Sequence, residues 1–120
     1  MPEANLTFEV TDQDTAAALG SGDVAVLATP RLLAWCEAAT CVAVESLIED
    51  RADRTSVGTR VALDHLAATP VGDRVHVHAV VAGTDGRWVD LIVSATDDAG
   101  RLLATGEVRR AIVARDRFPS

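Results

Sequence analysis

One acid stands inside an otherwise uncharged run. Glu37 lies within Leu32-Leu33-Ala34-Trp35-Cys36-Glu37-Ala38-Ala39-Thr40-Cys41-Val42-Ala43-Val44, where no other residue carries a formal charge. At helical spacing Leu33, Glu37, Thr40, Val44 and Ile48 fall on one stripe, so the carboxylate points where the apolar side chains point. A carboxylate taken out of water is costly unless it is paired, and an unpaired one tends to take up a proton. Two uses fit such a group: an acid, base or nucleophile at a site, or a structural acid bonded to the backbone or to an arginine.

Strand parity supplies partners. In Val61-Ala62-Leu63-Asp64-His65 the apolar Val61 and Leu63 share a face with His65, which directs the imidazole inward; an inward His beside an inward Glu makes an acid–base pair. His76 and His78 have the opposite parity to Val75, Val77 and Ala79 and are expected to face outward. Ala104, Gly106, Val108, Arg110 and Ile112 share parity, which places Arg110 on the apolar face, where it suits a buried carboxylate, and Arg109 outside. A bulge in this strand would exchange the two arginines. Thr29 precedes Pro30 and is placed to cap the helix. Eight residues separate Thr29 from Glu37, about 12 Å of helical rise. Thr29 must therefore lie before the helix proper, act across a dimer, or work through substrate or water. The helix N-terminus offers free N–H groups for a developing oxyanion. Gly58 interrupts the start of its strand, either for the close approach of another group or as a plain bulge.

The elements that must position these residues follow from periodicity and punctuation. Leu6-Thr7-Phe8-Glu9-Val10 alternates as a first strand, and Thr11 can cap a brief helical turn over residues 12–19 that Gly20-Ser21-Gly22 ends. Val24 to Ala28 is a short apolar run, a strand or the lead-in to the main helix, which then runs to about Ile48 before the polar loop at residues 49–54. Strands are predicted at residues 56–65, 74–82, 88–96 and 102–114, with turn sequences Thr84-Asp85-Gly86-Arg87 and Asp97-Asp98-Ala99-Gly100 between the later ones. One long, nearly all-round apolar helix with a single antiparallel sheet around it describes an α+β hot-dog architecture. So small a sheet leaves edges and apolar surface unless a second copy covers them, so at least a homodimer is expected.

The totals bound the function. The 120 residues suit one domain, and 48% hydrophobic residues are ample for a core. A net charge of -7 argues against nucleic acid, and a polyanionic ligand such as coenzyme A would need a local arginine cluster. All eleven basic residues are Arg, which excludes lysine Schiff-base chemistry. Cys36 and Cys41 lie five apart, on different helix faces, and match no disulfide or zinc spacing; they read as small buried hydrophobes. No apolar run reaches the roughly 20 residues of a membrane span. The Met-Pro-Glu-Ala-Asn start carries no basic or apolar signal, so the expected compartment is the cytoplasm.

Ala28-Thr29-Pro30, Glu37 eight residues after the threonine, Gly58-Thr59 followed by His65-Leu66-Ala67-Ala68-Thr69-Pro70, and Gly106 followed by Arg110 together resemble the fluoroacetyl-CoA thioesterase type of hot-dog thioesterase. The similarity runs from about residue 24 to the end of the chain. It implies a homodimeric acyl-CoA thioesterase without metal or bound cofactor. The implied catalytic set is Thr29, Glu37 and His65, at a site between protomers, with Gly58 and Arg110 as substrate-contacting residues. Glu37 would be nucleophile or general base. Ahead of Thr29 the family carries a longer, Phe-containing lid, whereas residues 20–28 here hold no aromatic, so the resemblance does not extend to the acyl group. Two other readings share the architecture: a non-catalytic acyl-CoA-binding dimer, and a hot-dog dehydratase or hydratase, which also pairs an acid with a histidine.

Overall fold

The computed structural model describes residues 1–118. Five strands, β1 (Glu3–Glu9), β2 (Arg54–His65), β3 (Arg74–Asp85), β4 (Trp88–Thr96) and β5 (Leu102–Ala114), form one antiparallel sheet in the order β1-β3-β4-β5-β2. A short helix α1 (Ala16–Leu19) and the long helix α2 (Thr29–Val44) lie between β1 and β2.

The sheet face under α2 is built from rows of alternate residues. Leu6, Val77, Ala95, Ala104 and His65 follow one another across all five strands, and Ala4, Ala79, Val93, Gly106 and Leu63 form the next row. The period-2 pattern of β3 and β4 thus becomes a continuous apolar floor. On α2 the buried residues are Leu32, Trp35, Cys36, Ala39, Thr40, Ala43 and Val44, a stripe at i, i+3, i+4 and i+7 spacing. Trp35 stacks on Phe8 of β1 with ring centroids 4.6 Å apart. His76 and His78 lie on the opposite face, bonded to Asp98 and Glu3, as their parity requires.

Several boundaries differ from the sequence reading. β1 begins at Glu3, because the whole stretch to Glu9 finds partners on β3. α2 ends at Val44 and passes through a tighter turn, Glu45–Leu47, instead of continuing to Ile48. Val24 to Ala28 is an extended lead-in held by bridges from Leu27 to Thr15 and from Val26 to Pro70. Ala28, not Thr29, occupies the cap position of α2, and no side chain caps it. Cys36 is buried, but Cys41 is exposed, because the stripe facing the sheet runs through residues 36, 39, 40 and 43.

β2 carries a bulge beside Gly58, where the sequence leaves open a bulge or a close approach, and both are found. Gly58 pairs with Arg110 and Arg60 with Arg109, so Thr59 is the extra residue. The bulge reverses parity along β2. Val61, Leu63 and His65 face the helix on one side of it, and Ser56 and Gly58 face the helix on the other. β5 runs through this region without a bulge, so Arg110 remains inward and Arg109 outward, where it is paired with Asp90 at 2.8 Å.

Gly106 lies where β2 and β5 press together. A Cβ there would enter the Ala62 carbonyl and reach Leu63 Cδ1 at 3.0 Å. Backbone is the obstacle, so relief requires the two strands to separate. Gly106→Ala is expected to lower unfolding free energy by about 1–3 kcal/mol, read from the urea midpoint. An unchanged midpoint would show that β2 yields at no cost.

Candidate active site

Two groups of polar residues lie under α2, one at each end of β2. The first is centred on Arg110, whose residue is only 5% exposed. Its Nε donates to Ser56 Oγ at 2.8 Å and its Nη2 to the Ser56 carbonyl at 3.1 Å. Nη1 faces α2, 3.5 Å from Thr40 Oγ1 and 3.7 Å from Glu37 Oε2. Thr40 Oγ1 in turn donates to the Glu37 carbonyl at 2.6 Å. A buried guanidinium needs its donors satisfied and its charge matched, and here two strands and the helix share that task.

Glu37 sits on the shoulder of the buried stripe, not in its centre. Its side chain is 33% exposed, so the sequence expectation of a fully inward carboxylate is corrected to one inward on the Arg110 side and open on the other. Gly58 makes that geometry possible. A Cβ on Gly58 would lie 2.5 Å from Glu37 Oε2 and 3.4 Å from Arg110 Nη1. The missing side chain leaves room that the Glu37 carboxylate itself fills, beside the Arg110 guanidinium.

The second group is at the N-terminus of α2. Thr29 Oγ1 and His65 Nδ1 are 2.7 Å apart. Because Ala28 takes the cap position, the Thr29 hydroxyl is available to the imidazole. His65 Nε2 is buried without a hydrogen-bond partner among the described residues. Burial pushes the His65 imidazole below its ordinary value of 6.5, with a smaller opposing contribution from the Ala67 backbone. A cleft of about 370 Å³ adjoins the pair, lined by residues 21–24, by Val26 and Leu27, and by Leu66 to Ala68. Val24 and Leu66 give it an exposed apolar rim.

Thr29 and His65 are thus brought together, and so are Glu37, Gly58 and Arg110. Within one chain the two groups are separate. Seven residue steps of strand separate Gly58 from His65, up to about 23 Å. Ser56 and Thr40 are the residues that sequence reasoning missed. Thr40 was visible as a polar residue on the apolar stripe; Ser56 was hidden by the parity reversal at Thr59.

The geometry also limits the chemistry. Burial, reinforced by the neighbouring Glu37 charge, pushes the Cys36 thiol up to about 11, so it stays protonated and is no nucleophile at neutral pH. Among the described residues no group of three His, Cys, Asp or Glu side chains is placed to hold a metal ion. No helix among them is long and apolar enough to cross a membrane. What remains is a carboxylate with an open flank, and a neutral imidazole hydrogen-bonded to a hydroxyl. Those are the parts of acid–base or acyl-transfer chemistry.

Residues 10–116 match the family model for fluoroacetyl-CoA-specific thioesterase. The chain belongs to this family. A thioesterase superfamily member from Thermus thermophilus superposes with a TM-score of 0.87 at 28% identity, over 96% of this chain and 83% of that one. A mutant of the fluoroacetyl-CoA-specific thioesterase FlK, in complex with fluoroacetate and CoA, gives 0.87 at 27% identity over 98% and 96% of the two chains. A hot-dog-like protein from Thermanaerovibrio acidaminovorans shares the fold, with a TM-score of 0.83 over 98% and 91% of the chains at 23% identity. No match is found among curated proteins. The protein is a thioester hydrolase with the hot-dog fold.

Two outcomes follow from the local geometry. With its pKa lowered in the fold, neutral His65 is favoured there. Its contribution to stability is complete above 6.5 and is lost as pH falls through 6.5 toward the folded-state value. NMR titration of the ring in a His76→Gln/His78→Gln background should give a midpoint below 6.5; one at or above it would remove the burial argument. In Gly58→Ala, the nearest obstacle is the movable end of Glu37 and not backbone. The variant should keep its melting temperature within a few degrees yet lose at least about tenfold in thioester hydrolysis, because the carboxylate is displaced. Equal loss of both would make Gly58 merely structural.

Proposed function

We propose that the protein is a homodimeric acyl-CoA thioesterase whose active site is completed across the two protomers. The observation that carries this reading is the placement of two half-sites at opposite ends of one free sheet edge. β2 ends the sheet, and its 12 residues leave a row of backbone N–H and C=O groups unpaired along one side. So long an open edge calls for a cover, and a second copy of β2 is the self-complementary one. With Thr59 as the extra residue, a two-fold axis passing at Ala62 would set Gly58 opposite His65 of the partner subunit. Glu37, Gly58 and Arg110 of one protomer would then face Thr29 and His65 of the other.

In that site the thioester carbonyl lies between the halves. The attacking water lies on the open flank of Glu37, the general base that takes its proton as oxygen bonds to the carbonyl carbon. The carbon–sulfur bond breaks, the proton that Glu37 took passes by way of His65 to the departing thiolate, and a free acid and a thiol leave with both side chains back in their starting states. Ser56 fixes two nitrogens of Arg110 and leaves Nη1 toward Glu37, where it holds the carboxylate in place and in reach of the acyl group. Thr29 orients His65. The N–H groups at the start of α2 are available to the oxyanion.

Thiol release from a panel of short-chain, branched, aryl and fluorinated acyl-CoAs tests the activity. Glu37→Gln should lower the best rate at least about 100-fold. Release that persists in the variant would remove Glu37 from the mechanism. The shared site has its own readout. Neither Glu37→Gln nor His65→Asn should be active alone, but an equal mixture, half of it heterodimers with one intact site of two, should recover roughly a quarter of wild-type activity. No recovery would place the whole set within one protomer.

A further inference from the structure

The chain's net charge of -7 gives no long-range attraction to a substrate that is itself a polyanion, so local cations must hold it. Six of the eleven arginines, Arg31, Arg51, Arg74, Arg101, Arg109 and Arg110, form ion pairs with carboxylates. Among the described residues five are in no ion pair, and four of these, Arg54, Arg87, Arg115 and Arg117, line a single cleft of about 1250 Å³. Free guanidiniums in an acidic protein tend to find carboxylates. Four left over at one place argue for an anion supplied from outside.

The cleft is also knit together. Arg54 opens β2, Arg87 sits in the β3–β4 turn, and Arg115 and Arg117 follow β5. The Arg115 N–H donates to the Asp53 carbonyl at 2.8 Å, its Nε to the Arg51 carbonyl at 3.0 Å, and the Ile112 N–H to the Arg87 carbonyl at 2.8 Å. Three separate segments are therefore held in fixed relation around the opening. Ile112, Val113 and Ala114 contribute apolar lining, and Phe118, 55% exposed, presents an aromatic face at the rim. Asp50, Asp53 and Asp116 line the same cleft and limit its excess to one positive charge. A ligand must therefore bind through directed N–H contacts and not through a diffuse basic field.

We propose that this cleft binds the phosphorylated nucleotide end of coenzyme A, with the phosphates among the four guanidiniums and the adenine against Phe118. The proposal rests on the thioesterase reading for its link to the site. Arg54 is four strand residues from Gly58, about 13 Å, a gap that the extended pantetheine arm spans to reach Glu37.

Calorimetry with adenosine 3′,5′-bisphosphate and with CoA tests the cleft without turnover. Arg54→Ser/Arg87→Ser and Arg115→Ser/Arg117→Ser should each weaken both ligands at least about tenfold, and added salt should weaken wild-type binding. In kinetics the same variants should raise KM for acyl-CoA with kcat held, and leave the matching acyl-pantetheine unaffected. Wild-type protein that does not bind the bisphosphate, or variants that weaken acyl-CoA and acyl-pantetheine alike, would overturn the proposal. If wild-type protein cleaved neither thioester, the thioesterase reading would fall, and bisphosphate binding lost in both double variants would still uphold the nucleotide site. Preference for an acyl-carrier-protein thioester with no bisphosphate binding would sink the cleft proposal and leave the thioesterase reading standing.

Discussion

A guanidinium buried between a sheet and a helix constrains everything around it. Arg110 is almost out of water, so each of its nitrogens has to meet an acceptor or a compensating charge. Ser56 meets two of them, which fixes the register of β2 against β5 at that point. Glu37 supplies the charge, which fixes the rotation of α2 over the sheet. Thr40, one turn further on, is buried beside the same group and ties its hydroxyl to the helix backbone. The ion pair is thus a positioning device. It presents one carboxylate oxygen at a defined place and leaves its flank open.

That arrangement depends on a defect in β2. With unbroken alternation, Ser56 and Gly58 would face away from α2 whenever His65 faced toward it. The extra residue at Thr59 lets both ends of the strand address the helix face. Thr59 is itself anchored, its hydroxyl donating to the Arg109 carbonyl at 3.1 Å. Gly58 is then required by the space Glu37 occupies and not by backbone conformation, since no left-handed φ is found there.

Much of this was legible in the chain. Residues 88–96 and 102–114 match β4 and β5 because β4 alternates throughout and glycine-containing turns precede both strands. The inward parity of His65 and Arg110 was readable for the same reason: each lies on a stretch with a clean period of two. Glu37 was conspicuous as a charge in an apolar helix. The limits are equally physical. A bulge is decided by pairing with another strand, so nothing local to Ser56 or Gly58 announces their true face. A cap is decided by where the first helical turn closes, so Thr29 was placed one residue wrong; its hydroxyl goes to His65 instead of to the helix backbone. The exact end of α2 depends on packing after Val44, which composition does not encode.

The two half-sites also differ in the kind of electrostatics they use. At Glu37 a buried guanidinium 3.7 Å away pairs with a carboxylate that stays open on its other flank. At His65 burial without a charged partner keeps an imidazole neutral, and Thr29 fixes which ring nitrogen faces it. Had the two groups been adjacent in one chain, the carboxylate would have favoured the imidazolium and erased the difference. Separation along β2 lets each be tuned by its own surroundings. The carboxylate is thus placed by a charge and the imidazole by a hydroxyl, and β2, which lies under both, sets the distance between them within one protomer.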